Sequence, residues 1–230
     1  MIIKVCGMTE GKNIRQVETA GAEWMGFVFY PPSPRYAGHI PDYLPERARR
    51  IGVFVDASTE SIMETVRQWG LHLVQLHGQE TPAQCLEIRK KGTKVIKAFS
   101  VRNRETLETL SGYDETCDFF LFDTPCESHG GSGRRFDWTL LNAYQGHTPF
   151  LLGGGLNPES VGPLTRLSHP QWAGIDLNSG FELSPGIKDA EAVAGFIRDL
   201  RTAAGQSHEI SPNLPDLSLS PISDSRKVKL

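Results

Sequence analysis

Eight short apolar segments alternate with segments of helical periodicity along most of this 230-residue chain. The apolar segments are rich in β-branched and aromatic residues and several are bounded by Gly or Pro, which is typical of buried strands. The predicted strands span residues 2–6, 24–30, 51–56, 71–76, 94–100, 118–122, 149–152 and 173–177. The predicted helices span residues 12–21, 45–50, 59–69, 82–91, 104–110, 158–167 and 190–203, with one more short helix starting near Trp138. Because strands that alternate with helices pair in parallel, the pattern predicts an α/β protein.

The number of strand and helix units predicts the architecture. Eight such units match a single (β/α)8 TIM barrel in both count and length, and we expect it over residues 1–204. A doubly wound open sheet is the alternative, but it usually has fewer strands and would leave two edges to protect. Residues 205–230 are dominated by Ser, Pro, Asn and Asp without either period, which predicts a polar Ser/Pro-rich C-terminal tail outside the barrel.

Charge and composition narrow the classes of partner. The net charge of −3 shows no excess of basic residues, so we expect no nucleic-acid partner. No apolar run approaches the roughly 18 to 20 residues of a membrane span, and no export signal precedes the first strand, so we expect a cytoplasmic protein without membrane contact. The four cysteines lack CxxC pairing and the seven histidines lack HxH or HExxH spacing, which predicts free thiols and no metal site.

The ends of two predicted strands carry candidate catalytic groups. Cys6 follows the first strand and Asp123 follows the sixth, and in a barrel both would lie at the carboxyl-terminal face, where chemistry is done. A thiol and a carboxyl can share acid and base work on a small substrate. A thiolate at Cys6 would need cationic neighbours, for which Lys4 is a weak candidate. The alternatives are that Cys6 is a small buried hydrophobe and that Asp123 opens a loop.

Two glycine-rich turns follow the seventh and eighth predicted strands. Glycines let backbone N–H groups converge on an anion, and this pair of loops is the usual phosphate site of barrel enzymes. Either turn alone is more often only a turn, but both together predict a phosphate site. The candidate phosphate-binding residues are Gly154, Gly155, Asn178, Ser179 and Gly180.

Two further residues at strand ends are candidates for substrate contact. Arg35, after the second strand, could present two parallel N–H groups to a carboxylate, although a surface arginine is the alternative. His77, at the end of the fourth strand, is a candidate substrate contact or a residue that packs a loop. The glycine-rich loop at residues 126–135 is either a lid over the ligand or a slack connection.

An ordered set of motifs is similar to one enzyme family. The motifs are K-V-C-G-M-T at 4–9, G-F-V-F at 26–29 with S-P-R at 33–35, V-Q-L-H-G at 74–78, F-D-T at 122–124, G-G-L at 154–156, and D-L-N-S-G at 176–180 with P-G at 185–186 and K-D at 188–189. Over nearly all of residues 1–203 the chain resembles phosphoribosylanthranilate isomerases of tryptophan biosynthesis. Each motif alone is only weakly specific for the family, but the ordered set is highly specific for it. Asn178, Gly153 and Arg134 depart from the family's more frequent serine, alanine and lysine.

The resemblance implies an Amadori rearrangement of a small phosphosugar without cofactor or metal. The substrate would be N-(5-phosphoribosyl)anthranilate and the product 1-(2-carboxyphenylamino)-1-deoxyribulose 5-phosphate. In the family pattern Asp123 is the general acid that protonates the furanose oxygen and opens the sugar to a Schiff base, and Cys6 is the base that removes the C2 proton. Arg35 would hold the anthranilate carboxylate. The resemblance leaves open whether the protein is a monomer or a homodimer.

Two other functions compete with this hypothesis. The first is a related phosphosugar barrel. The isomerase of histidine biosynthesis would have aspartates at the ends of strands one and five, and indole-glycerol-phosphate synthase would have a barrel mouth rich in lysine. Here the first strand ends in Cys6 and the fifth in Phe99 and Ser100, which argues against both. A non-catalytic phosphate-binding barrel would keep the glycine turns and lose Cys6 or Asp123, and both are present.

Overall fold

The structure, a computed structural model, describes residues 1–108, 110–124 and 136–206. Eight parallel strands form a closed barrel in chain order, which confirms the predicted (β/α)8 architecture and rules out the open sheet. The strands are β1 (Ile2–Val5), β2 (Trp24–Val28), β3 (Arg49–Phe54), β4 (Leu73–Leu76), β5 (Lys94–Ser100), β6 (Phe119–Asp123), β7 (Phe150–Leu152) and β8 (Trp172–Leu177).

Helices and turns connect the strands around the outside. The α-helices are α1 (Gly11–Thr19), α2 (Thr59–Trp69), α3 (Pro82–Lys90), α4 (Arg104–Glu108), α5 (Val161–Leu164) and α6 (Ala190–Gln206). Single 3-10 turns lie at Leu110–Tyr113, Trp138–Ala143, Pro158–Ser160 and Ser179–Phe181. Helix α2 shows how the local sequence sets the ends, because the Ser58 hydroxyl accepts from the Ser61 N–H and Gly70 closes the helix in the left-handed conformation, φ 56°.

The barrel closes between its first and last strands. β1 pairs with β8 in parallel over four residue pairs, including Lys4 with Asp176. After β8 the chain forms a small antiparallel hairpin, β9 (Glu182–Ser184) and β10 (Ile187–Lys188), which the sequence pattern did not predict. Before α6 begins, this hairpin contacts the segments that follow β1, β2 and β8, through Thr9, Arg35 and Asn178.

Alternation along the strands divides the core into two parts. One set of side chains, including Ile2, Trp24 and Phe119, fills the barrel, with the Trp24 and Phe119 rings edge to face at 5.2 Å. The alternate set, including Val5 and Phe120, packs between the sheet and the helices. This is the period-two alternation expected of strands.

The predicted helix at residues 45–50 is wrong. Within residues 29–48, all of which are described, the chain forms turns and one isolated bridge, and β3 starts at Arg49. The reason lies in α1, where the Glu18 carboxylate accepts the N–H groups of Arg47 and Ala48 at 2.7 and 2.8 Å. Tyr43 donates its hydroxyl to the same carboxylate at 2.5 Å. The Glu18 carboxylate therefore accepts backbone N–H groups that a helix at residues 45–50 would have used for its own hydrogen bonds.

Other boundaries differ by smaller amounts. The predicted helix at 158–167 is a 3-10 turn followed by the four residues of α5, where Pro163 supplies no N–H. The predicted helix at 104–110 is α4 and a separate turn. The last helix continues to Gln206, past the predicted tail boundary at 205. The predicted lid at 126–135 and the tail beyond residue 206 lie outside the described residues.

No helix in the described ranges is both long and apolar enough to cross a membrane. The three described cysteines, Cys6, Cys85 and Cys117, are free and buried.

We predict that Gly174→Ala weakens barrel closure. A Cβ at this position would overlap the carbonyl oxygen of Ile2 and lie 2.7 Å from its Cβ, where β8 meets β1. Overpacking of this kind costs about 1–3 kcal/mol, and the free energy of unfolding in urea should fall by that amount. Gly162→Ala is the matched control, because its added Cβ would meet no described atom within 4 Å apart from its chain neighbours and its own helix backbone. If Gly162→Ala lost as much free energy of unfolding as Gly174→Ala, the close contact between β8 and β1 would not be the cause of the loss.

Candidate active site

A cavity of about 340 Å³ opens at the carboxyl-terminal end of the barrel. Eight of the nine predicted site residues line it, and Gly180 lies next to the lining residue Ser179. The lining residues from the prediction are Cys6, Arg35, His77, Asp123, Gly154, Gly155, Asn178 and Ser179. The strand order therefore brings together groups that are far apart in the sequence.

Cys6 lies directly after β1, with only 4% of its surface exposed. Gly26 on the neighbouring strand makes the space, since a Cβ there would come within 2.6 Å of the Cys6 sulfur. Burial raises the pKa of the Cys6 thiol, an effect that the Lys4 ammonium opposes, Asp176 reinforces and Lys188 opposes. The buried thiol thus lines the cavity, packed against Val28 and Val53 and within the field of Lys4, Asp176 and Lys188.

A buried ion pair supports the floor of the cavity beneath Cys6. The Lys4 Nζ donates to both Asp176 carboxylate oxygens at 2.9 Å, and the Lys4 side chain is completely buried. Burial lowers the pKa of Lys4, but Asp176 and Cys6 outweigh it and raise the pKa above its ordinary value. Burial raises the pKa of Asp176 against the opposing effect of Lys4. The pair fixes a positive charge next to the sulfur.

A second charged cluster joins the β2–β3 segment to the hairpin. Arg35 donates through Nε and Nη2 to the Glu182 carboxylate at 2.8 and 2.6 Å. The buried Lys188 Nζ donates to Glu182 at 2.5 Å and to the side-chain oxygen of Asn178 at 2.8 Å. Burial raises the pKa of Glu182, but its bonds to Arg35 and Lys188 outweigh burial and hold the pKa below its ordinary value. Arg35 keeps three of its five N–H donors beyond those given to Glu182.

Asp123 ends β6 on the other side of the cavity. Its Oδ1 accepts the Thr124 N–H at 2.7 Å, and its Oδ2 lies 3.5 Å from His77 Nε2. The Gln75 amide nitrogen, inside the barrel, is 2.9 Å from His77 Nδ1. About a quarter of the Asp123 side chain is exposed, so it is open to a ligand. Cys6 and Asp123 therefore meet the same cavity from different strands.

The two glycine-rich turns form the rim between β7 and β8. Gly154 has φ +77° and an added Cβ would overlap Thr124 and lie 2.7 Å from Asp123 Oδ1, so the turn requires glycine beside the carboxyl. Within the described residues, no protein acceptor takes the N–H groups of Gly154, Gly155, Ser179 or Gly180. Unpaired N–H groups at a turn suit an anion.

Sequence reasoning missed the charged residues that surround the predicted groups. Asp176, Glu182 and Lys188 were assigned no role, and Lys4 was only a weak candidate. The available signal was a charged or polar residue inside an otherwise apolar strand, as at Lys4, Gln75 and Asp176. Among the residues with described positions, no three His, Cys, Asp or Glu side chains form a group suited to a metal ion.

The fold and the site together define the class. A closed (β/α)8 barrel that brings a thiol, a carboxyl and a rim of free backbone donors to its carboxyl-terminal cavity is an enzyme scaffold for small anionic substrates.

Comparisons with known proteins give the family. The family model described as N-(5'phosphoribosyl)anthranilate (PRA) isomerase matches residues 3–199. The N-(5'-phosphoribosyl)anthranilate isomerase of Phocaeicola vulgatus is 55% identical over 201 residues, covering 87% of this chain and 98% of the relative. The crystal structure of phosphoribosyl anthranilate isomerase from Thermotoga maritima is 33% identical with a TM-score of 0.75, covering 88% of this chain and all of that one.

A third match is a phosphoribosyl anthranilate isomerase solved in complex with reduced 1-(o-carboxyphenylamino)-1-deoxyribulose 5-phosphate. It is 32% identical, has a TM-score of 0.72 and covers 88% of this chain and all of its own. The chain belongs to the N-(5'-phosphoribosyl)anthranilate isomerase family.

We predict that Lys188→Met raises the pKa of Cys6 further. The substitution removes one of the two ammonium groups that oppose the effect of burial on the thiol. The pH dependence of iodoacetamide alkylation at Cys6, followed by peptide-resolved mass spectrometry, reports the thiolate fraction. In the unsubstituted protein the midpoint should lie above the value of about 8.5 for a free thiol, and in Lys188→Met it should be higher still. Lys91→Met, at an exposed position, should leave the midpoint unchanged.

Proposed function

We propose that the chain converts N-(5-phosphoribosyl)anthranilate to 1-(2-carboxyphenylamino)-1-deoxyribulose 5-phosphate in tryptophan biosynthesis. The observation that carries this proposal is the shared cavity, which is lined at once by Cys6, Asp123, Arg35 and the glycine turn at Gly154. Two anion-binding groups, one acid and one base match a substrate with a carboxylate, a phosphate and a sugar between them.

Asp123 acts first, as the general acid. Its carboxyl gives a proton to the furanose ring oxygen, the bond between that oxygen and C1 breaks, and the nitrogen lone pair forms the double bond of a Schiff base. The Thr124 N–H, 2.7 Å from Asp123 Oδ1, supports the carboxylate that this transfer leaves. Because this N–H is already oriented towards the carboxylate on which negative charge develops, it lowers the activation barrier without any rearrangement of the site.

Cys6 acts second, as the base. Its thiolate takes the proton from C2. The electron pair of that C–H bond forms the C1–C2 double bond, and the π pair of the C1–N double bond returns to nitrogen, which gives an enolamine. Loss of the hydroxyl proton at C2 and protonation at C1 then give the ketose. Because burial raises the pKa of Cys6, the positive charges of Lys4 and Lys188 are needed to make the thiolate accessible.

Two groups hold the ends of the substrate. The guanidinium of Arg35, aligned by its paired bonds to Glu182, directs its remaining donors to the anthranilate carboxylate. The unpaired backbone donors of the glycine rim hold the phosphate. The residues proposed for the phosphate are Gly154, Gly155, Asn178, Ser179 and Gly180. The side-chain oxygen of Asn178 is bonded to Lys188, so its part is to fix the turn rather than to contact the anion with that oxygen.

Cys6→Ala and Asp123→Asn should each lower turnover by about 100- to 10,000-fold, the range that general acid or base catalysis contributes. Turnover is followed by the loss of phosphoribosylanthranilate fluorescence. Both variants should still bind reduced 1-(2-carboxyphenylamino)-1-deoxyribulose 5-phosphate in calorimetry, because Arg35 and the glycine rim are intact.

Asp199→Asn serves as the control for Asp123→Asn, since Asp199 lies on the exposed surface of α6. Its turnover should equal that of the unsubstituted chain. Near-normal turnover by Cys6→Ala or Asp123→Asn would overturn the assigned roles, and no turnover by the unsubstituted chain would overturn the function itself.

We also propose that residues 1–204 are the catalytic domain and that the Ser/Pro-rich segment after helix α6, which ends at Gln206, is dispensable for the reaction. Since helix α6 ends at Gln206, a chain that stops after Gln206 keeps every described element. It should retain the kcat and melting temperature of the full chain. A large fall in kcat with an unchanged melting temperature would assign the removed segment a part in catalysis.

A further inference from the structure

A row of polar side chains leads from the barrel interior to Asp123. Gln75, on β4, is 1% exposed and lines the cavity. Its Nε2 donates to His77 Nδ1 at 2.9 Å, and His77 Nε2 lies 3.5 Å from Asp123 Oδ2. The two acid and base steps described above use neither Gln75 nor His77.

The backbone around His77 is held by a buried ion pair. Lys97 and Glu80 lie 3.1 Å apart, and their side chains are 3% and 0% exposed. Lys97 Nζ donates to the Gly78 carbonyl at 2.8 Å, and Glu80 accepts the Gly78 N–H at 2.9 Å. The His77 N–H donates to the carbonyl of Phe54 at 2.8 Å. The imidazole is therefore carried on a fixed segment, as precise positioning requires.

The hydrogen bond from Gln75 sets where the imidazole carries its proton. A neutral imidazole has one N–H and one lone pair, so an Nδ1 that accepts from an amide leaves the proton on Nε2. Nε2 is the ring nitrogen near Asp123, 3.5 Å from Oδ2, while the other oxygen of Asp123 already accepts the Thr124 N–H.

The reversed Gln75 amide is the alternative. Gln75 Oε1 is buried and has no hydrogen-bond partner in the part of the chain that the structure describes. Turned towards His77, this oxygen would accept from an Nδ1–H and would leave the Nε2 lone pair facing a carboxylate oxygen. Once the carboxyl has given its proton to the substrate, two lone pairs in that arrangement would repel, so the Nε2–H form fits the carboxylate that the transfer leaves.

We propose that His77 is a catalytic residue, held as its Nε2–H tautomer by the positioning residue Gln75, and that it donates to Asp123 as the carboxyl releases its proton. The proposal rests on the role of Asp123 in the proposed function. The separation of 3.5 Å is longer than a hydrogen bond, and catalytic contacts of this kind commonly tighten when substrate fills a site. Two N–H groups, from Thr124 and His77, then share the charge that forms on the carboxylate.

The tautomer is tested directly by ¹H–¹⁵N NMR of protein with labelled histidine. The His77 signals are assigned by their loss in His77→Gln. We expect Nδ1 to show the shift of a nitrogen bearing a lone pair and Nε2 that of a protonated nitrogen at neutral pH. An Nδ1–H tautomer in the unsubstituted protein would overturn the proposal, whether or not the chain turns over the expected substrate.

Kinetics test the role of the donated hydrogen bond. His77→Leu should lower kcat about 10- to 100-fold, as expected for a hydrogen bond to a charged group, with little change in the Kd of the reduced product analogue. His77→Gln, whose amide can reach the position of Nε2, should recover part of the loss. His147→Gln, at an exposed site away from the cavity, should equal the unsubstituted chain. An unchanged kcat in His77→Leu would overturn the proposal while leaving the proposed function intact.

Gln75 variants separate positioning from packing. Gln75→Met keeps the volume and removes the donor, so both tautomers should appear and kcat should fall. Gln75→Glu reverses the bond, because a carboxylate accepts from Nδ1–H, and should abolish the Nε2–H tautomer. If either variant kept the tautomer of the unsubstituted protein, Gln75 would not be the residue that sets it.

Discussion

The hydrogen-bonded pair of Lys4 and Asp176 is the contact on which the site depends. The two residues are register partners on β1 and β8, the strands whose pairing closes the barrel. Taking two charges out of water is expensive, and loss of one partner from such a pair commonly costs about 3–5 kcal/mol because the other is left unpaired. The same pair supports Cys6, so closure of the sheet and the electrostatics of the thiol are coupled through one interaction.

Around that pair the charges are unevenly distributed across the cavity. Three cations, Lys4, Arg35 and Lys188, and two carboxylates, Asp176 and Glu182, lie on the side of Cys6. The excess of one positive charge is the charge that a thiolate would neutralise. On the opposite side, Asp123 is in contact with the uncharged donor at Thr124 and with His77. The cations thus offset part of the effect of burial on the pKa of the thiol, and the carboxyl receives hydrogen bonds, which suits a base on one side and an acid on the other.

The sequence predicted the barrel because every strand is mostly apolar, and short apolar segments of this kind are recognisable without knowing their partners. The positions of Cys6, Asp123 and the glycine turns followed from strand order. The helix at residues 45–50 was mispredicted because its N–H groups bond to Glu18, about thirty residues earlier, and no local pattern shows such a bond. Glu182 and Lys188 were missed for a similar reason. Both lie on the hairpin. Glu182 pairs with Arg35, 147 residues earlier in the chain, and Lys188 pairs with Glu182.

The order in which the chain leaves the ribosome gives the Lys4–Asp176 pair a further consequence. The ribosome synthesises Lys4 172 residues before its partner Asp176, so most of the barrel sequence is made between the two. Before Asp176 is available, burial of β1 would leave the Lys4 ammonium group unpaired in an apolar environment. A nascent chain therefore gains little by forming a compact sheet from the first strands alone. The lysine therefore acts against premature collapse, and the last strand to be made is the one that permits the first to be buried.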